Sequence, residues 1–126
     1  LGPGRHTEYL KTTAAVKDSS ALLNALILRN APIDNGLLAL AAKFDSPAVI
    51  QRLIAYGIGV NTQFSPDNST ALHFAVARKR YRSIAALLQA GAKTDIPDSR
   101  EMTALDVAVK LKDDRIVQAL RQEAMR

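Results

Sequence analysis

The feature that most constrains this chain is self-similarity at a fixed spacing, because a repeat of about 20–50 residues dictates a stacked architecture. Thr70-Ala71-Leu72-His73-Phe74-Ala75-Val76-Ala77 returns 33 residues later as Thr103-Ala104-Leu105-Asp106-Val107-Ala108-Val109-Lys110. At the same offset Ile84 and Leu87 fall on Val117 and Leu120. Upstream, the run Leu87 to Asp95 corresponds to Leu53 to Asn61 at an offset of 34, with the extra residue in the loop Thr62–Ser69. A weaker copy runs from Leu26 to Asp34, with Asn30 where Gly57 and Gly91 stand in the later ones. Between Asp34 and Leu38 about seven residues are missing relative to the later copies. The first connection is therefore expected to be a tight turn with no projecting hairpin.

Each period reads as two short helices. Leu72, Ala75 and Val76 fall at i, i+3, i+4 over Ala71–Arg78, with Thr70 as N-cap. Ile84, Leu87 and Leu88 share one face of a second helix over Ser83–Ala90, for which Ser83 is the expected cap. Gly91 and Gly57 stand where a left-handed residue ends that helix, and Asn30 substitutes for them in the earliest unit. Helices this short cannot stand alone in water. Stacked pairs share one core instead, in which each buried Leu or Ile contributes roughly 1.5–3 kcal/mol. Small residues such as Ala75 and Ala108 let the helices approach.

These residues resemble the ankyrin repeat, a period of about 33 with a turn, two helices and a T-P-L-H-x-A signature. Thr70-Ala71-Leu72-His73-Phe74-Ala75 lacks only the proline, Thr103-Ala104-Leu105-Asp106-Val107-Ala108 also lacks the histidine, and Gly36-Leu37-Leu38-Ala39-Leu40-Ala41 keeps the leucine and the alanine. The resemblance implies an all-α solenoid of stacked helix-turn-helix pairs with short β-hairpin-like loops. Residues 1–6 are expected to be a tag remnant or a disordered N-terminus, and Leu1-Gly2-Pro3-Gly4 reads as a cloning remnant or a fragment boundary. Residues 7–126 form one ankyrin-repeat domain, in units 7–33, 34–63, 64–96 and 97–126. Glu8–Lys17 and Ser20–Arg29 are expected to be a first helix pair that covers the next with Leu10, Ala14, Leu22, Leu23, Leu26 and Ile27. Arg121 in place of Leu88 gives the last unit a polar outer face, as a terminal cap of a solenoid requires.

Composition narrows the function. The chain has no cysteine, which removes disulfides and thiolate metal sites. Its apolar runs fall far short of the roughly 20 residues that span a bilayer. A net charge of +5 favours acidic partners without implying nucleic acid. The resemblance implies that His73 ties helix and turn together, and Asp106, one helix-packing distance away (about 8–10 Å), is too far to form a dyad with it. His6 and His73 lie far apart, Asp113-Asp114 has no calcium-loop spacing, and Gly57-Ile58-Gly59 lacks a nucleotide fingerprint. Neither catalysis, nor a metal, nor a cofactor is expected.

What the resemblance implies instead is a scaffold or adaptor that binds another protein with an acidic surface, as a cytoplasmic monomer. Lys43, Arg78 or Lys79, and Lys110 or Lys112 would then form a basic ladder at the ends of the inner helices, on the concave side. Ordinary solvated turn residues are the competing account. Phe44 and Leu111 share one repeat position inside that ladder and read either as interface anchors or as partly buried side chains. Tyr81 is expected to pack between repeats. On the hairpin tips, Phe64, Pro66, Asp67, Ser69, Ser99, Arg100 and Met102 are candidate contacts. Asn68 stands in a left-handed turn position, and Glu101, at the matching place, tolerates that conformation poorly. Two alternatives stay open. One is nucleic-acid or anionic-lipid binding by the ladder, which lacks interleaved stacking aromatics. The other is a targeting domain of a larger enzyme or of a secreted bacterial effector acting in host cytosol.

Overall fold

The computed structural model describes the backbone of residues 3–124 and the side chains of residues 6–123. Among them, eight helices follow in four pairs: α1 (Pro3–Val16) with α2 (Ser20–Leu28), α3 (Gly36–Lys43) with α4 (Pro47–Tyr56), α5 (Ala71–Ala77) with α6 (Tyr81–Gln89), and α7 (Ala104–Leu111) with α8 (Asp114–Ala124). The odd-numbered helices pack side by side as an inner layer, and the even-numbered ones back them as an outer layer. Leu1, Gly2, Met125 and Arg126 lie outside the described residues, with them the start of the expected N-terminal remnant. The first helix begins at Pro3, earlier than its apolar pattern indicates.

The period recurs as burial. Ala41, Ala75 and Ala108 are sealed between inner helices, and Leu53, Leu87 and Leu120 are sealed beneath the outer ones. Leu38 and Leu72 are equally inaccessible, whereas Leu105 is only partly buried. In the first unit that register holds Lys11. Its stem is buried, and its ammonium donates to the Pro32 carbonyl at 2.8 Å and pairs with Glu8 at 2.6 Å. A lysine can fill a leucine position when a carbonyl waits at the end of its stem. Ala14, Leu23 and Leu26 are buried against the second unit as expected, with Leu22 and Ile27 partly so. At the far end Arg121 is exposed, but Val109 is 51% exposed where Val76 is fully buried. The outward face of this unit is thus polar on the outer helix only.

Capping follows the threonines. Thr70 Oγ1 accepts from the His73 amide, and the His73 ring answers the Thr70 amide at 3.0 Å, closing a capping box. Thr103 and Asp106 repeat the arrangement. Ser83 is not the cap of α6, which starts earlier, at Tyr81, behind Arg80. Ser83 is buried in the first turn of α6, and its amide and hydroxyl both donate to Asp45 of the preceding unit, at 3.0 and 2.8 Å.

That contact belongs to a series. The inner-to-outer turns each contain one left-handed residue: Asp18, Asp45, Lys79 and Lys112. Asp18 accepts the Val49 amide of the second unit at 3.0 Å, as Asp45 accepts that of Ser83 in the third. Backward bonds complete both seams, from Ser46 Oγ to the Ala15 carbonyl and from Arg80 Nε to the Lys43 carbonyl at 2.9 Å. In the last seam the polarity is exchanged. Lys79 replaces the acceptor, and the Ile116 amide turns to Asp113 of its own unit at 3.2 Å. The Tyr81 hydroxyl crosses the seam to Asp113 at 2.6 Å, and Lys79 Nζ approaches the same carboxylate at 4.0 Å.

Candidate functional site

Two fingers border the inner layer, and no finger forms at residues 31–35, where the connection is a tight turn. In the first finger the Phe64 amide donates to the Ser69 carbonyl at 2.8 Å, and Asn68 closes the turn with φ 58°. In the second, the Asp98 amide donates to the Met102 carbonyl at 2.9 Å, and Glu101 is left-handed as well, with φ 63°. The buried Asp98 carboxylate holds this unfavourable turn by accepting the Arg100 amide at 2.8 Å and the Met102 amide at 3.0 Å. Burial alone raises the pKa of that carboxyl. The Met102 and Arg100 amides and the Arg100 guanidinium outweigh burial and bring it below its ordinary value.

The fingers are tied to each other and to the helices. The Ser99 amide donates to the Asp67 carbonyl at 2.8 Å, and Gln63 Nε2 bridges the Asn68 and Pro97 carbonyls, each at 3.0 Å. Because His73 Nδ1 accepts the Thr70 amide, Nε2 carries the ring proton and donates to the Met102 carbonyl at 2.9 Å. His73 thus links helix to turn, as expected, and also links the third unit to the finger of the fourth.

Between fingers and inner helices lies a groove of about 320 Å³, lined by Lys43, Asp67, Ser69, His73, Phe74, Ala77, Arg78, Asp98, Arg100 and Val107. It brings together five of the residues expected to meet a partner: Lys43, Asp67, Ser69, Arg78 and Arg100. Lys43 Nζ sits over the Phe74 ring, 4.5 Å from its centroid, held there by cation–π attraction. Both carboxylates of the groove are engaged, Asp67 by the Ser69 amide at 3.3 Å and Asp98 by the second finger. Arg100 reaches Asp98 at 3.4 Å while most of its side chain stays in solvent. Arg78 is exposed, and among the described residues its guanidinium makes no ion pair or hydrogen bond. The groove therefore offers positive charge above an apolar floor.

The other expected contacts are placed apart from it. Phe64 is partly buried and packs on Phe74, ring centroids 6.1 Å apart. Met102 is half-buried, and its backbone is committed to Asp98 and His73. Ser69 is buried even though it lines the groove. Pro66, Ser99 and Lys110 are exposed. Phe44 and Leu111 part company, Phe44 at 48% exposure and Leu111 partly buried against the core. In the basic cluster after α5, Arg80 is used in the seam and Arg82 faces Asp18 at 3.6 Å, so Arg78 is the member left for a ligand. Tyr81 spans the last seam through its hydroxyl, yet its ring stays on the surface beneath Arg115. Sequence reasoning passed over Asp45 and Asp98. Their signal was an Asp at a turn position, where a short carboxylate tolerates unusual backbone and collects nearby amides.

Comparison with known proteins agrees with this geometry. The family model of ankyrin repeats (three copies) matches residues 12–98 and 38–125. The chain belongs to the ankyrin-repeat family. Human palmitoyltransferase ZDHHC13 is 31% identical over 88 residues, which cover 70% of the chain and 14% of that protein. An ankyrin repeat protein of fowlpox virus is 31% identical over 74 residues, covering 59% of the chain and 10% of its own length. Alpha-latrotoxin-Lh1a of Latrodectus hasselti is 37% identical over 67 residues, or 53% of the chain and 5% of the toxin. The ankyrin chain thus spans a small fraction of each of these relatives. Among the described residues, no helix is long and apolar enough to cross a membrane, and no group of three or more His, Cys, Asp or Glu could hold a metal ion.

Proposed function

We propose that this ankyrin-repeat chain is a protein-interaction module that holds an acidic segment of its partner in the groove between the fingers and the inner helices. One observation carries the reading. Lys43, Arg78 and Arg100 line a groove whose two carboxylates already serve its own backbone. An incoming carboxylate meets Lys43 and Arg78 without displacing an internal anion, Arg100 alone of the three being paired, to Asp98, and an apolar neighbour can rest on Phe74 and Val107. The fingers are fixed by bonds to one another and to α5, so little ordering opposes binding. The relatives point the same way. A palmitoyltransferase and a toxin differ in what their names say they do, and the repeats are what each shares with this chain, which suits recognition better than chemistry.

The test pairs Arg78→Glu with Lys110→Glu, two exposed positions. Proteins captured by the parent chain should be lost by the double variant, with the melting temperature unchanged. Phe44→Asp serves as a second surface variant. Equal capture by parent and double variant removes the basic rim from the interface. Capture that collapses with rising salt and is reproduced by a nucleic-acid duplex would reassign the rim to phosphate.

A further inference from the structure

The outer face carries a second groove, independent of the one between the fingers and the inner helices. Of the successive outer helices, α6 and α8 touch least, and a cavity of about 340 Å³ opens between them. Ile116 and Glu123 of α8 line the groove at the repeat positions where α6 carries the smaller Ser83 and Ala90. In the two earlier seams an aspartate grips an amide in the first turn of the outer helix. In the last seam the link runs through the length of the Tyr81 side chain to Asp113, outside α8.

The floor of the groove is aliphatic, from Ile84, Leu88, Ile116 and Ala119, with Ala85 on the rim. One mouth is cationic. Arg115 lies over the Tyr81 ring, 4.5 Å from its centroid, and among the described residues it forms no ion pair. The carboxylate lining the groove, Glu123, belongs to its other end.

We propose that this groove docks an amphipathic helix of a protein partner, with an acidic residue seated at the Arg115 mouth. The walls are helices whose backbone groups bond internally, so an extended segment laid there would bury amides and carbonyls without partners. A helix satisfies its own backbone and offers only side chains. From Tyr81 to Gln89 the groove runs about 12 Å at 1.5 Å per residue, room for about two turns. The ligand pattern follows: apolar residues at i, i+4 and i+7 or i+8, and Asp or Glu about one turn beyond one end.

The experiment pans a phage-displayed library of helix-biased peptides on the whole chain, with counter-selection on Ala85→Trp, an exposed position whose new side chain would fill the groove. Selected peptides should carry that stripe and acid and shift the amide resonances of Gln89, Ala119 and Gln122. They should bind Arg115→Glu at least tenfold more weakly, with binding regained when their acid is changed to Lys. Failure to enrich any peptide that Ala85→Trp excludes overturns the proposal. So does enrichment of proline-containing extended sequences, or a dodecanoate titration that shifts the same resonances when no helix is selected. Arg78→Glu should leave the selected peptides bound, which keeps this result separate from the inner groove.

Discussion

Asp45→Ala is the sharpest test of how the stack is held. Asp45 Oδ1 accepts both the amide and the hydroxyl of Ser83, 38 residues away, and Ser83 is fully buried. Truncation leaves two donors in the seam with nothing to bond. Hydrogen bonds to a charged group contribute roughly 1.5–3 kcal/mol net, and orphaned buried donors cost about as much. The same residue is left-handed, with φ 55°, where Ala fares worse than Asp or Asn. A loss of about 2–3 kcal/mol is expected, which for a domain of this size lowers the melting temperature by roughly 8–12 °C.

The assay is urea denaturation followed by helical circular dichroism, with Asp45→Asn and Ser83→Ala alongside. Asn keeps an acceptor and the backbone preference, so it should cost less than about 1 kcal/mol. Ser83→Ala removes the shorter bond alone, and the double variant Asp45→Ala/Ser83→Ala should show coupling of about 0.5 kcal/mol or more, as residues sharing a hydrogen bond do. Should Asp45→Ala lose no more than Asp45→Asn, the bond across the seam contributes nothing and the reasoning fails.

Burial in a repeat register predicts graded costs: Leu72→Ala should lose about 3–4 kcal/mol, and the partly buried Leu105→Ala clearly less, both read from urea midpoints. Acid should weaken the fold. The carboxyls of Asp98 and Asp113 titrate below their ordinary range when folded, Asp113 chiefly because it accepts the Tyr81 hydroxyl. Between the ordinary and the lowered pKa the unfolded chain binds more protons, so stability present above pH about 4 is lost as pH falls through the lowered values. Asp98→Asn should flatten that acid limb in a pH series of melting temperatures, and an unchanged limb would rule out Asp98 as a source.

Much of the fold was legible because burial repeats with the period. A leucine sealed at 72 implies one at 38, and the threonine caps of α5 and α7 follow from Thr70 and Thr103. The register failed where one residue type serves two purposes. Ser83 has a good N-cap composition and sits near a helix start, yet Asp45 reaches it from another unit. Local patterns carry no information about an acceptor 38 residues away. Glu101 shows the converse, a residue poorly suited to its backbone that is held there by Asp98.

The site was less legible than the fold for the same reason. A repeat states which positions face outward, but not which outward charges are already engaged. Arg78, Lys79, Arg80 and Arg82 look equivalent in sequence, and in space Arg80 bonds to the Lys43 carbonyl while Lys79 and Arg82 face the carboxylates of Asp113 and Asp18 at 4.0 and 3.6 Å. Those partners lie in other units, so the stacking that buries the core also decides which cations remain for a ligand. Arg78 remains because among the described residues no acceptor of another unit engages it. The exchange of donor and acceptor in the last seam bears on the outer surface, because it moves the tie between α6 and α8 out to Tyr81, where the outer groove begins.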